Sequence, residues 1–246
     1  MGKNMEKAAN KLIEASKYHS LRFERKFIFQ DMYLEDIINH IVLTSPYGFR
    51  EIFTRRSVNN IYFDDFNYSF YKQNVSGDGD RKKYRLRWYG DDFSMVKKAT
   101  MEIKKKFGEV GDKYSYKLKN LQLNLNQLSA DEVQNAVITE LKNTDNRELL
   151  FSFQNLFPAL YNTYERRYFL SSCGAFRITL DYNMKFYNPH YKDYRISEYT
   201  LESQETVFEL KYETAHDKES RKLTQKWHNR MSKNSKYVNG IDFITA

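Results

Sequence analysis

The chain has 246 residues, with 40 Lys and Arg against 32 Asp and Glu, a formal net charge of +8 at pH 7, and aromatic residues at 16%. That aromatic content excludes a disordered tail, the length allows one large domain or two small ones with a substantial core, and the basic balance suits an anionic partner: nucleotide, polyphosphate, nucleic acid or acidic lipid. Cys173 is the only cysteine, which excludes an intrachain disulfide and a thiolate zinc site and points to a reduced, cytoplasmic protein.

In chain order, the polar, amphipathic stretch from Met5 to Tyr18 reads as a helix without the apolar centre of a signal peptide. No window approaches the roughly 20 apolar residues of a membrane span. A strand follows over Arg22 to Phe29, then a helix over Asp31 to Leu43 with Asp31 as its N-cap. Val58 to Phe63 is the next strand and Phe66 to Asn74 a short helix, and the loop Ser76-Gly77-Asp78-Gly79-Asp80 turns into a strand over Lys82 to Tyr89. Strands at Thr100 to Phe107 and Lys113 to Leu118 precede two helices. The first, Ala130 to Lys142, is opened by Ser129 with Glu132 completing a capping box, and the second spans Arg147 to Phe157. Strands at Thr163 to Ser171, Phe176 to Asn183, Arg195 to Tyr199 and Val207 to Glu213 lead to a last helix over Glu219 to Met231. With 3 Pro, 9 Gly and no low-complexity linker, residues 1–246 are expected to form a single domain. The order is that of an α+β fold, and the alternation in most strands suits antiparallel pairing.

Three strands share a signature: Glu24-Arg25-Lys26, Glu102-Ile103-Lys104 and Glu209-Leu210-Lys211 each set an acid and a base two residues apart within an apolar, aromatic run. Residues two apart share a strand face. The opposite faces read Phe23, Phe27 and Phe29, then Met101, Ile103 and Phe107, then Phe208, Leu210 and Tyr212, apolar apart from Arg25 and Lys105. One such strand would be an ordinary solvated face. The repetition, joined by Arg85 and Arg87, Lys106, Lys113 and Lys117, Arg177 and Asp181, and Glu213, predicts an antiparallel β-barrel of about eight strands with a charged interior and helices packed outside. Buried charges must be paired, hydrated or met by a ligand of opposite sign. Bases outnumber acids on these faces, so the expected ligand is a polyanion with Mg2+ or Mn2+: guanidinium groups fork onto phosphate oxygens, and one or two carboxylates hold the metal.

Arg22-Phe23-Glu24-Arg25-Lys26-Phe27, Tyr84-Arg85-Leu86-Arg87-Trp88-Tyr89, Glu102-Ile103-Lys104-Lys105-Lys106 and Phe208-Glu209-Leu210-Lys211 resemble the triphosphate tunnel metalloenzymes, the CYTH-like superfamily. More narrowly, Asn60-Ile61-Tyr62-Phe63-Asp64, Tyr164-Glu165-Arg166-Arg167-Tyr168-Phe169, Arg177-Ile178-Thr179-Leu180-Asp181 and Ser235-Lys236-Tyr237 are similar to the VTC-type polyphosphate polymerase domain. The matches run in the family's order over nearly the whole chain. The resemblance implies a tunnel that binds the triphosphate of ATP with a divalent metal and transfers the γ-phosphate to a growing inorganic polyphosphate chain. It further implies Lys26, Arg85, Arg87, Lys104 and Arg166 as catalytic phosphate contacts, Lys117, Arg177, Lys211, Lys233 and Lys236 as further substrate contacts, and Glu209 with Glu24 as metal ligands.

The residues leave some roles open. Parity places Arg166 with Tyr164 and Tyr168, so Arg166 or Arg167 could face inward; Glu24 could hold metal or pair with a neighbouring Arg; Glu102 and Lys211 could be supporting ion pairs; Lys233 and Lys236 could simply be a cationic helix end. The tunnel family's hydrolases and cyclases begin Glu-x-Glu-x-Lys, whereas here Arg22 holds the first position. That departure favours polymer synthesis, since a hydrolase must activate water while a terminal phosphate acceptor is already an anionic nucleophile. The alternatives are a metal-dependent triphosphatase and a non-catalytic polyphosphate- or nucleotide-binding module. No RNA-binding motif is present, which argues against a sequence-specific nucleic-acid partner. The five histidines, His19, His40, His190, His216 and His228, lack metal-ligand spacing, Cys173 beside Gly174 reads as a turn residue, the Ser76–Asp80 loop lacks the lysine of a phosphate loop, and there is no G-x-S-x-G nucleophile motif.

Overall fold

Period-two alternation of apolar and charged residues builds one curled antiparallel sheet, seen in a computed structural model that describes residues 22–30, 32–107, 110–144, 146–200, 205–225 and 229–245. The strands are β1 Arg22–Phe29, β2 Arg50–Asp64, β3 Arg81–Tyr89, β4 Met95–Val96, β5 Ala99–Phe107, β6 Val110–Leu118, β7 Leu123–Asn124, β8 Phe157–Leu170, β9 Arg177–Tyr187, β10 Tyr199–Thr200 and β11 Thr206–Glu213. The helices are α1 Leu34–Ile37, continued as a π-helical turn over Ile38–Leu43, α2 Ser69–Ser76, α3 Ala130–Lys142, α4 Arg147–Phe153, α5 Asp217–Thr224 and α6 Lys236–Thr245. Pairing runs β1-β11-β9-β8-β2-β3-β5-β6, with β10 on β9 and a separate β4-β7 ribbon. The result is an α+β half-barrel. Among the described residues no helix is long and apolar enough to cross a membrane.

The convex face is apolar and covered by helices. Leu86, Trp88, Met101 and Ile103 pack against Val133, Val137 and Leu141 of α3 and Leu149 and Phe153 of α4. Phe27, Phe29, Ile178, Leu180, Phe208 and Leu210 pack against Ile37, Ile38 and Val42, and against Leu223 of α5. Each such side chain stabilises the fold by roughly 1.5–3 kcal/mol relative to exposure, so the apolar face is fixed inward to the helices and the charged face is left concave. The two bases on the apolar side find acids at its margin: Arg25 pairs with Asp217 of α5 at 2.6 Å, and Lys105 lies 3.7 Å from Glu148 of α4. The capping box of α3 forms as its sequence requires, with Ser129 Oγ accepting from the Glu132 N–H and Glu132 accepting from the Ser129 N–H at 2.8 Å.

Several boundaries depart from the sequence pattern. The strand expected over Val58–Phe63 begins eight residues earlier, at Arg50. The helix expected over Phe66–Asn74 starts at Ser69, after Asp65 accepts from the N–H groups of Asn67 and Ser69. The helix from Arg147 ends at Phe153, and Phe157 already belongs to β8. Arg195 to Tyr199 is not one strand: Asp193 caps a 3-10 turn over Tyr194–Ser197, and only Tyr199–Thr200 pairs with β9. The final helix stops at Thr224 instead of continuing to Met231, which instead bridges Phe27 of β1. The helix expected over Met5–Tyr18 and the Asp31 cap lie outside the described residues.

Helix α6, where the sequence pattern predicts none, packs on the charged side of the sheet. Tyr62, Leu160 and Phe186 share the concave face with the charges and cluster with Tyr237 and Ile241 of α6. Gly240 permits this approach: a Cβ there would lie 2.4 Å from Leu160 Cδ2 and 2.6 Å from Phe186 Cδ1. Tyr237 Oη donates to Asp64, whose carboxylate also accepts the N–H groups of Phe70 and Tyr71 of α2 at 3.0 and 2.9 Å. The helix thereby fills one end of the concave face.

Candidate functional site

Register gathers the charges of separate strands into three clusters on the concave face. In the first, Glu209 of β11 lies opposite Lys26 of β1 on one side and Thr179 of β9 on the other, and Lys211 lies opposite Glu24 and Arg177. Glu24 pairs with Lys26 at 3.1 Å and Glu209 with Lys211 at 2.6 Å. In the second, Arg166 of β8 lies opposite Asp181 of β9 and forks onto it through Nε and Nη2, the latter at 2.7 Å, while Lys236 of α6 reaches the same carboxylate at 2.6 Å. The third centres on Glu102 of β5, which binds Arg85 at 2.5 Å and Lys113 at 2.7 Å, with Arg87 at 3.7 Å. Of the adjacent pair Arg166 and Arg167, Arg167 points away from this face, to Glu51 at 2.7 Å and Glu35 at 3.1 Å.

The carboxylates organise these clusters without neutralising them, because Glu102 and Asp181 are each shared by more than one cation. Burial pushes the Glu102 carboxyl up, but Arg85 and Arg87 outweigh it and hold it at about 2. Burial acts likewise on Asp181, and Arg166 and Lys236 bring it to about 2. Asp181 is fully buried, which is tolerable only for a carboxylate paired in this way. Glu209 is also lowered: burial and the nearby Glu24 push it up, and Lys211, Lys26 and Arg166 prevail. Lys26 is raised, since Glu209 and Glu24 overcome the burial that opposes its charge.

Other expected site residues are exposed. Lys104, Lys117, Arg177 and Lys233 make no ion pair among the described residues; burial pushes the Glu24 carboxyl up, but Lys26 and Lys211, with a smaller contribution from Lys104, hold it well below the usual carboxylate range. The segment from Met231 to Lys236 ties three strands together. Ser232 N–H donates to the Lys26 carbonyl at 2.9 Å, Lys26 Nζ to the Asn234 carbonyl at 3.0 Å, and Lys83 Nζ to Ser235 Oγ at 2.9 Å. Of the basic pair in that segment, Lys236 joins the Asp181 cluster and Lys233 stays exposed.

Three further residues share the faces of the expected site residues. Lys83 has the parity of Arg85 and Arg87 and faces Lys26 and Lys104; burial and those like charges push it down to about 7. Tyr164 has the parity of Arg166, whose guanidinium lies 5.2 Å from its ring; burial raises its hydroxyl, yet Arg166 and Arg87 bring it below the usual range. Thr179 has the parity of Asp181, and its buried hydroxyl has no hydrogen-bond partner among the described residues. In each case the signal was strand parity.

Among the described residues no group of three or more His, Cys, Asp or Glu could hold a metal unaided. Glu209 and Glu24 do bring two carboxylates to adjacent strands, beside the orphaned Thr179 hydroxyl. That donor set is too small for a closed protein cage, and it suits an Mg2+-like ion that takes one or two carboxylates and completes its oxygen shell from substrate phosphates and water.

Comparison with known proteins finds a family model described as the VTC domain matching residues 21–245. An X-ray structure of a candidate adenylate cyclase from Vibrio parahaemolyticus aligns with a TM-score of 0.50 at 13% identity, covering 91% of this chain and 98% of that one. A Pyrococcus horikoshii protein aligns with a TM-score of 0.48 at 12% identity, covering 89% and 99%. At this identity the Vibrio likeness shows the fold. No curated protein sequence matches the chain.

Proposed function

Because the chain belongs to the VTC domain family of triphosphate tunnel proteins, we propose that it is a metal-dependent phosphotransferase that moves the γ-phosphate of ATP onto a growing inorganic polyphosphate chain within its charged concavity. The observation that carries this reading is the surplus of cations around shared carboxylates: Arg85, Arg87 and Lys113 around Glu102, and Arg166 and Lys236 around Asp181. A polyanion supplies the missing negative charge. Arg87 and Arg166 present guanidinium groups already oriented by Asn60 at 3.4 Å and by Asp181, so little reorganisation is required when phosphate oxygens arrive.

Both reactants are anions, and their mutual repulsion is the main obstacle to in-line transfer. Lys26, Lys104 and Lys236 lower that repulsion by lining the space in which donor and acceptor phosphates meet. The acceptor oxygen is already ionised, so no general base has to take a proton from it. Glu209, with Glu24 and the Thr179 hydroxyl, would hold Mg2+ or Mn2+, which supplies charge neutralisation of the donor phosphates. Lys117, Arg177, Lys211 and Lys233 would accompany the rest of the chain.

The test is the double variant Arg85→Ala with Arg87→Ala. Metal-dependent turnover of ATP should fall by about two orders of magnitude or more, given the loss of two charge-stabilising groups, while the far-UV spectrum is kept. Undiminished turnover in the folded variant would remove the concave face as the active site.

A further inference from the structure

At the end of the concave face away from α6, aromatic rings replace lysines. Phe53 of β2 pairs in register with Tyr168 of β8, their ring centroids 5.6 Å apart and nearly perpendicular. The Arg56 guanidinium, which has no carboxylate partner among the described residues, lies 4.3 Å from the Phe53 ring, 5.7 Å from Tyr168 and 5.8 Å from Tyr89 of β3. Phe53 is 45% and Tyr89 51% exposed, so both rings are partly open to solvent. Aromatic rings with an arginine among them, at the edge of a cationic surface, form a stacking surface for flat, electron-rich rings.

Position ties this cluster to the phosphate wall. Tyr89 is two residues beyond Arg87 on β3, and Tyr168 two beyond Arg166 on β8, a step of about 7 Å along each strand. Arg166 lies 5.8 Å from the Tyr168 ring on its inner side, with Arg56 also at that ring. Arg166 of the Asp181 cluster and Arg56 at the rim thus share the Tyr168 ring. A ligand with phosphates on Arg87 and Arg166 that extends toward this end of the strands meets Phe53 and Tyr89.

From this juxtaposition we propose that Phe53, Arg56, Tyr89 and Tyr168 form a rim platform that stacks the base of a nucleoside triphosphate whose phosphates enter the tunnel. The inference rests on the phosphotransfer reading above and gives the donor a nucleoside end to be recognised. Stacking on rings reads surface area and not hydrogen-bond pattern, so ATP and GTP should bind alike and better than CTP or UTP.

Titration calorimetry with Mg2+ and two probes, the β,γ-imido analogue of ATP and inorganic tripolyphosphate, separates base from phosphate. In the Phe53→Ala, Tyr89→Ala double variant the ATP analogue should bind roughly tenfold more weakly or worse, while tripolyphosphate changes by less than about twofold. Tyr89→Phe, which keeps the ring, should bind the analogue as the wild type does. Equal losses for the two probes, or no loss for the analogue, would overturn the platform and leave the tunnel reading intact. Wild-type protein that binds neither probe would overturn both. The substituted rings are exposed, and an unchanged thermal midpoint confirms that each variant is folded.

Discussion

Asp181 is buried with two cations on its oxygens, Arg166 and Lys236, and its removal exposes what a shared carboxylate does. Asp181→Asn leaves both cations without a counter-charge, which should cost about 3–5 kcal/mol of stability, measurable by urea unfolding. Acid acts through the same groups. Asp181 and Glu102 titrate at about 2 in the folded chain, below their ordinary values of 3.8 and 4.5. A depressed carboxylate contributes stability that is fully present above its ordinary value and is lost as pH falls through the folded one. The unfolding free energy should therefore decline steeply between about pH 4.5 and 2, and less steeply in Glu102→Gln. Lys83 has the opposite sign. It is a cation depressed to about 7 from 10.5, so the unfolded chain holds the extra proton between those values and stability rises with pH across that window. Lys83→Met should flatten the rise. Polyanion binding near pH 8 should draw a proton onto Lys83, visible in calorimetry as a heat that changes with the ionisation enthalpy of the buffer and is lost in Lys83→Met.

At the scale of elements, legibility followed burial on one face. β1, β3, β5 and β11 alternate cleanly because each packs one face on helices and turns the other to the concavity, and their charged positions could be read by counting twos. Arg50 to Ser57 did not read as strand: the sequence Arg-Glu-Ile-Phe-Thr-Arg-Arg-Ser has no apolar face, since this part of β2 reaches the rim where both sides are largely open, and its register with β8 is broken by bulges. Helix α6 was concealed by Gly240, ordinarily a weak helix former, which is there because the helix axis must come close to Leu160 and Phe186. Gly240→Val should force α6 off the sheet and destabilise the fold by roughly 1–3 kcal/mol or more, as overpacking does. Thermal unfolding would show it. Because α6 also carries Lys236 to Asp181, the same variant should bind tripolyphosphate less well than wild type.

For the whole molecule, an apolar convex face and a charged concave one are a single consequence of strand parity repeated around a curled sheet. Shared carboxylates hold Arg85, Arg87, Lys113, Arg166 and Lys236 on the concave face, and the segment from Met231 to Lys236 fastens β1, β3 and β9 around them. What the sequence could not show was which partners the charges would choose among themselves: Glu102 as the hub for Arg85, Arg87 and Lys113, or Arg167 turned outward to Glu51. Those choices depend on register and on bulges set by the whole sheet. The claim that matters most is that this concavity passes phosphate from nucleotide to polymer and not to water. The direct measurement is the fate of the γ-phosphate when purified protein is given γ-labelled ATP with Mn2+, followed by separation of polymer from orthophosphate. Label should appear in long, phosphatase-sensitive chains together with ADP; label recovered as orthophosphate alone, or no release of ADP, would contradict polymer synthesis.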